Sequence, residues 1–527
     1  MPPRAGSPWA PFQYRIFTIV WIATVLSNTG TWMYNAAAGW LMTNLTSDAF
    51  VVSLVQVANA LPMFMFALLA GVLSDILDKR RFLIAGEVSI AILSAIFAAM
   101  VWFGRTSPAS LLWFTFLIGV ASALTSPAWQ SVVPELVPWK ALPAAVAANS
   151  AGVNVSRAIG PALAGAIIAP LGIAAPFVVN AVSNFGSIGA LISWREPKRT
   201  TSALPVEPFG SAIRIGFRYA ANSPSLRGTL IRTLAFFLFA STYWALLPLI
   251  ARSRISGGPE IYGILLGAIG LGAVAGAFGM PSWKMKLGPD RLVAAASIGT
   301  AIALVLFGLA REPVTALLAS LIAGISWIAA VATINVSAQV SLPDWVRGRG
   351  LAIYMTVLFG SMTVGSAVWG KVASLTGLPM THFLAAAGAL LAVPLTWRWK
   401  LQTAGNLDLT PSMQWPVPLV SHEVKGDRGP VLVTIEYRIA NDKNRAAFLA
   451  ALDRLRRERL RDGAYTWRIF EDAAERGRFL ETFLVESWLE HLRQHERVTN
   501  TDSVLQQSIY GLLKAEPTVT HFIAPSP

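Results

Sequence analysis

Gly71-Val-Leu-Ser-Asp75-Ile-Leu-Asp78-Lys79-Arg80-Arg81 is a polar knot in a chain otherwise short of charge. The residues on either side, 49–74 and 82–103, are apolar runs. A helix of about 20 apolar residues crosses a hydrocarbon layer about 30 Å thick, so each run is long enough to span a bilayer. A tight basic loop between two such runs marks the side of the membrane on which lysine and arginine collect.

The pattern continues outward in both directions. Apolar runs fall at 14–42, 49–74, 82–103, 109–133, 141–169 and 172–194, and again at 228–251, 259–283, 291–310, 313–341, 350–374 and 378–398. The expected fold is therefore an all-α polytopic membrane protein with six plus six spans. Its expected parts are a six-helix half at 1–194, a linker at 195–227, a second half at 228–400, a polar linker at 401–428 and a soluble domain at 429–527. Composition agrees: 54% of residues are hydrophobic and 13% charged, against about 25% charged in soluble domains. Residues 1–400 hold 26 Lys/Arg and 11 Asp/Glu, whereas the last 127 hold 16 and 17, so two physical environments share the chain.

A net charge of +14 does not point to nucleic acid, because the cations sit between membrane spans. Arg4, Arg15, Lys79, Arg80, Arg81, Lys140, the 195–227 linker, Lys284, Lys286, Arg291, Arg347, Arg349, Arg398 and Lys400 fall in alternate loops. The opposite loops hold Arg105, Arg252, Arg254 and Arg311. The positive-inside rule then expects an inner-membrane protein with both termini cytoplasmic. Met1-Pro-Pro-Arg4 runs straight into the first span, so no removable leader is expected. The chain has no cysteine, which removes disulfides, thiol nucleophiles and thiolate metal sites. No Gly-x-x-x-x-Gly-Lys-Ser/Thr loop is present, which disfavours direct ATP coupling. The halves also echo each other: Gln130-Ser-Val-Val-Pro134-Glu135 returns as Gln339-Val-Ser-Leu-Pro343-Asp344, each at the end of the fourth span of its half.

The Gly71 to Arg81 loop resembles the signature loop of the major facilitator superfamily. That resemblance implies that Gly71, Asp75, Asp78, Arg80 and Arg81 serve conformational cycling, with Asp75 facing the start of the eleventh helix near Arg347 and Arg349. Asn154-Val-Ser-Arg157-Ala-Ile-Gly160-Pro161-Ala-Leu-Ala-Gly165 is similar to the Gly-Pro motif of that superfamily's drug:proton antiporters, though it lacks some of the usual glycines. Glycine permits close packing there and proline bends the helix. Pro127 to Glu135, Gly216 to Tyr219, Pro224 to Arg227 and Pro343 to Arg349 complete a resemblance, over residues 10–400, to the transmembrane secretion effector branch with its enterobactin-exporter-like members. It implies export of small amphipathic molecules such as siderophores or drugs, with protons exchanged and no cofactor. Uptake by proton symport is the alternative.

Ionisable groups inside spans cost several kcal/mol unless paired or wet. Arg157 stands about 24 Å along its helix from Ala141, too deep to snorkel, and is a candidate cavity cation or a structural donor between helices. Glu87, six residues after Arg81, is a proton-coupling candidate whose plainer reading is a contact with the basic cluster. Asn28, Asn35, Asn59, Asn154, Asn335 and Gln339 are candidates to line a polar path, or else to join helices. Gln56, Asn149, Asn180 and Asn184 share that reading. Trp32, Tyr34, Trp40, Tyr243, Trp244 and Trp327 read first as anchors or packing groups. Lys371 reads as a snorkelling residue.

In the tail, Val431, Val433, Ile435, Tyr437 and Ile439 alternate with polar neighbours at strand period. Strands at 465–470, 479–485 and 519–523 and helices after Asn441, Ser487 and Asp502 give a β-α-β-β-α-β order, an α+β ferredoxin-like domain. The order and the run Ser487-Trp-Leu-Glu-His491 resemble the antibiotic-biosynthesis-monooxygenase fold, which implies dimerisation through this domain. A membrane-anchored oxygenase is the alternative of another class, with His491, His495 and His521 its only candidates. Histidines four apart share a helix face, but with no further ligands at recognisable spacing the plain expectation is a polar surface, no metal and no catalytic residue. The arginines at 454, 456, 457, 459 and 461 read as a solvated or lipid-facing basic face.

Overall fold

The computed structural model describes residues 9–194, 209–403, 408–410, 412 and 428–525. The first half contains α1 (Arg15–Leu45), α2 (Ala49–Ile76), α3 (Lys79–Trp102), α4 (Pro108–Val132), α5 (Leu142–Leu171) and α6 (Ala175–Ser193). After α7 (Phe209–Asn222), the second half contains α8 (Pro224–Leu249), α9 (Pro259–Leu309), α10 (Pro313–Val340), α11 (Arg347–Thr376) and α12 (Leu378–Thr396). Helices suit hydrocarbon because each satisfies its own backbone donors and acceptors. Eleven helices among the described residues are long and apolar enough to cross a membrane. One of them, α9, has 51 residues and would run about 76 Å at 1.5 Å per residue, far more than one crossing needs. Gly288 breaks it at φ 69° and ψ 172°, followed by Pro289, and glycine alone adopts that backbone without strain. Two spans therefore lie within α9, and the described residues hold twelve, six in each half.

Two compact units emerge. Among the described residues, the first comprises 9–194, 230–335 and 354–399, and the second 209–229, 336–353, 400–403, 408–410, 412 and 428–525. In the first, the halves meet where small residues let backbones approach. A Cβ added to Gly165 of α5 would lie 2.6 Å from the Pro259 carbonyl, and one added to Gly263 of α9 would lie 2.8 Å from the Pro161 carbonyl. One added to Gly370 of α11 would overlap Ser53 of α2. Arg252 bonds to Asn44 and lies over Trp40, which stacks on Tyr262. These contacts belong to the end of the bundle opposite the basic loops, so the halves are closed together there.

The second unit contains the tail: β1 (Val431–Arg438), α13 (Arg445–Asp462), β2 (Thr466–Glu471), β3 (Arg478–Val485), α14 (Trp488–Arg497), α15 (Asn500–Tyr510) and β4 (Thr518–Ile523). The antiparallel sheet has the order β2-β3-β1-β4. Val431, Val433, Ile435 and Tyr437 pack on Phe448, Leu452 and Leu455 of α13. The basic run does not form one solvated face. Arg454, Arg456 and Arg457 are exposed, but Arg459 turns inward to Glu481 at 3.2 Å, and Arg461 to Asp462 and Asp502 at 2.7 and 2.6 Å. The tail shares its unit with α7 and the turn between α10 and α11. Arg218 donates to the Gly463 carbonyl at 2.6 Å, Arg214 pairs with Glu486 at 2.9 Å, and Arg497 lies over Trp345 at 4.5 Å.

Candidate functional site

A cavity of about 410 Å³ lies within the first half. One wall is a polar stripe on α1, Thr24, Ser27, Asn28 and Thr31, and another is Ser122, Thr125, Ser126, Trp129 and Gln130 on α4. Both follow the i, i+3, i+4, i+7 spacing that puts residues on one helix face. Apart from Asn28, the sequence reading assigned none of these to the cavity, although the stripe in otherwise apolar helices was the signal. Asn149 of α5 and Asn184 of α6 also line it.

Glu87 of α3 projects into this cavity and is only 6% exposed. Trp129 donates its indole N–H to Glu87 Oε1 at 3.1 Å, and Oε2 has no hydrogen-bond partner. The plainer expectation for Glu87, a contact with the basic cluster, does not hold. Lys79 pairs with Glu135 at 2.5 Å, and Arg80 donates to the carbonyls of Leu191 and Ile192 at the end of α6. Asn180 and Asn184 act as helix joints: Asn180 donates to Ser94, while Asn184 accepts from Ser27 and donates to the Asn180 carbonyl.

Arg157 lies elsewhere. Its guanidinium is 5.2 Å from the centre of the Trp32 ring, in a pocket of about 10 Å³ walled by Pro161, Trp244, Leu266 and Trp327. That volume is at the lower limit for one water molecule. Nε has no hydrogen-bond partner, and no ion pair to Arg157 occurs among the described residues. Trp32, Trp244 and Trp327, read from sequence as anchors or packing groups, are the walls of this site. Since Trp244 and Trp327 come from the second half, Arg157 faces the seam between the halves.

The remaining candidates are dispersed. Asn35 and Asn59 line neither cavity, nor do Asn335 and Gln339, both of which have other interactions. Asn154 is exposed and donates to the Ser150 carbonyl of its own helix. The side chain of Asp75 lies outside the described residues. Asp78 caps α3 by accepting from the Arg81 N–H at 2.8 Å. Gly71 is not a close-approach glycine in this conformation, because a Cβ there would meet nothing within 4 Å, whereas one at Gly160 would lie 2.6 Å from Trp32 Cβ. Arg347 opens α11 and pairs with Asp344 at 2.6 Å; Arg349 lies beside Gly216 of α7. The repeated motifs differ in local shape: Pro134 lies within a 3-10 turn at Val133–Glu135, whereas Pro343 is extended and the 3-10 turn follows it at Asp344–Val346.

In the tail, His491, His495 and His521 converge, with ring centres 4.8 Å apart for the first pair and 4.7 Å for His491 and His521. His491 is buried rather than on a polar surface. Burial, with the two imidazoles beside it, pushes His491 down to about 3.

The sequence pattern described as transmembrane secretion effector matches residues 6–526, so it takes in the tail as well as the spans. The chain is 24% identical to the staphyloferrin A transporter of Staphylococcus aureus over 67% of its length and 88% of that protein. It is also 24% identical to the enterobactin exporter of Citrobacter koseri over 67% of its length and 84% of that protein. A crystal structure of a POT family transporter superposes with TM-score 0.61 at 13% identity, covering 73% of this chain and 96% of that one, which is a likeness of fold.

Proposed function

The chain belongs to the transmembrane secretion effector family, and on that premise we propose that it exports small, amphipathic, siderophore-like or drug-like molecules by proton exchange. It is a multi-pass membrane transporter, and its family is described by secretion rather than by catalysis. The observation that carries proton coupling is Glu87: a buried carboxyl in a polar cavity, with one oxygen held by Trp129 and the other free to take a proton. A carboxyl in hydrocarbon is expensive when charged and cheap when protonated, so a change in its access to water changes its proton. In this reading both termini are cytoplasmic and the closed seam is external. Arg157 meets the substrate when the seam opens, Asp75 serves cycling, and no metal takes part in transport. Two tails can pair through the open sheet face that carries Phe470, Leu480 and Phe522, all exposed.

The test uses inside-out vesicles with an acid lumen and candidate compounds supplied in the medium. The expected result is accumulation driven by the gradient in the parent and abolished in Glu87→Gln, with the variant still folded and inserted. Accumulation indifferent to the gradient, or retained in full by Glu87→Gln, sinks the coupling assignment.

A further inference from the structure

We infer that the tail binds one divalent transition-metal ion of the zinc class through His491, His495 and His521. The three side chains come from two elements, α14 and β4, and their ligand nitrogens lie within 4.8 Å of one another. His491 Nε2 and His495 Nε2 are 3.2 Å apart. Nitrogens about 2.0–2.1 Å from a tetrahedral zinc stand roughly 3.3–3.4 Å from each other, so this pair already has the bite of a metal chelate. The widest separation in the cluster needs to close by about 1.4 Å, within reach of rotation about side-chain bonds. Imidazole suits zinc, copper, nickel and iron, and three imidazoles with one position left open is the ligand count of a zinc site that retains water. His495 and His521 are half-buried, which leaves that fourth position toward solvent.

The surroundings carry a second observation. His491 Nδ1 is buried without a hydrogen-bond partner, and Gln494, one turn further along α14 and fully buried, has neither amide atom bonded. A metal on Nε2 fixes the proton of His491 on Nδ1, and a metal-bound imidazole ordinarily donates that N–H to an acceptor. Gln494 Oε1 is the acceptor at hand. The two unmatched groups lie one turn apart, and a metal on Nε2 holds the proton on the nitrogen that faces this pairing. Trp488 packs against His491 and His521, with ring centres 5.5 and 6.0 Å away, and so limits how far the imidazoles can part.

The experiment uses the full chain in detergent, purified on a tag without histidine and stripped with a chelator. Zinc is titrated against a chromophoric competitor, and cobalt(II) is added separately to read coordination from its visible bands. The expected result is one zinc per chain and the intense bands of four-coordinate cobalt. Gln494→Leu should weaken zinc roughly 10- to 100-fold, and His521→Gln by at least as much. His521 is half-buried, so its variant remains informative if His491→Ala fails to fold. Equal zinc affinity in the parent, His495→Gln and His521→Gln overturns the site, as does cobalt with the weak bands of six-coordination.

Discussion

Buried charge is treated in opposite ways in the tail and at the Glu87 and Arg157 sites of the membrane part, where, among these groups, only Arg232 of α8, held by Asp290 and the Trp399 carbonyl, is closed as the tail's charges are. In the tail, Glu481 is fully buried and accepts from Tyr437 at 2.6 Å, Trp467 at 2.8 Å and Arg459 at 3.2 Å. Arg461 is held between Asp462 and Asp502, and Arg497 between Glu490 and the Asp462 carbonyl. In the membrane, Glu87 has one indole and an empty oxygen, and Arg157 has the face of Trp32 and an unpaired Nε. A charge closed by partners on every side specifies an architecture. A charge left open in a low-dielectric site is tolerable only where water, a proton or a ligand completes it. The contrast separates groups that hold the tail together from the two groups that the proposed function assigns to transport.

The largest effect is expected where the closure is most complete. Glu481→Ala strands Arg459, Tyr437 and Trp467, and breaking one side of a buried pair costs about 3–5 kcal/mol. Amide exchange of Val431–Arg438 in the full-length protein should accelerate by roughly 10²- to 10³-fold, while exchange in α1 to α6 stays as in the parent. If the strand keeps its protection, the tail's charges are not structural and the comparison fails at its stronger end.

At the seam the same operation should affect transport and spare the fold. Arg157→Ala removes a charged donor, an interaction worth about 1.5–3 kcal/mol, and should lower transport of an anionic substrate by roughly ten- to a hundredfold. Arg157→Lys keeps the charge but loses the planar fork, so it should retain intermediate activity. Both proteins should melt like the parent. Parental transport with a lowered melting temperature would show instead that Arg157 is a structural donor between helices.

How much of this was legible depended on whether a signal was local. The spans were, because hydrophobic length is read along the chain, and so was the tail's strand and helix order, where Val431 to Tyr437 alternate and Asn441 and Ser487 cap. The two spans at 259–283 and 291–310 were legible while their joint was not: the chain turns at Gly288 without leaving helix on either side for more than a residue. The partner of Glu87 was not legible, because distance along a helix does not say which face is wet. The stripes on α1 and α4 would have said so. The partners of Arg459 and Arg461 lie on β3 and α15, so nothing in a run of arginines foretold that two of them turn inward. The convergence of His521 with His491 and His495 likewise needs the register of β4.

One group in the tail breaks the rule of closure, and it gives the smallest and sharpest test. Glu458 of α13 is largely buried beside Asp502 and Asp462, and its Oε2 is without a partner. Burial, reinforced by Asp502, pushes its carboxyl from an ordinary 4.5 up to about 9. The folded state therefore holds a proton that the unfolded chain releases near pH 4.5. Between about pH 4.5 and 9 the unfolded state binds fewer protons, so stability falls as pH rises through that window. Any stability due to the neutral carboxyl is complete below pH 4.5 and lost as pH passes 9. Glu458→Gln keeps the shape and removes the titration. Its tail should match the parent near pH 4.5 and exceed it at pH 8.5, by about 1 kcal/mol once relaxation and water entry are allowed for. Denaturant unfolding of the tail at the two pH values, followed by amide exchange of α13, measures the difference. A variant whose advantage is equal at both values would mean that Glu458 is not held neutral, and that the tail closes all of its buried charges after all.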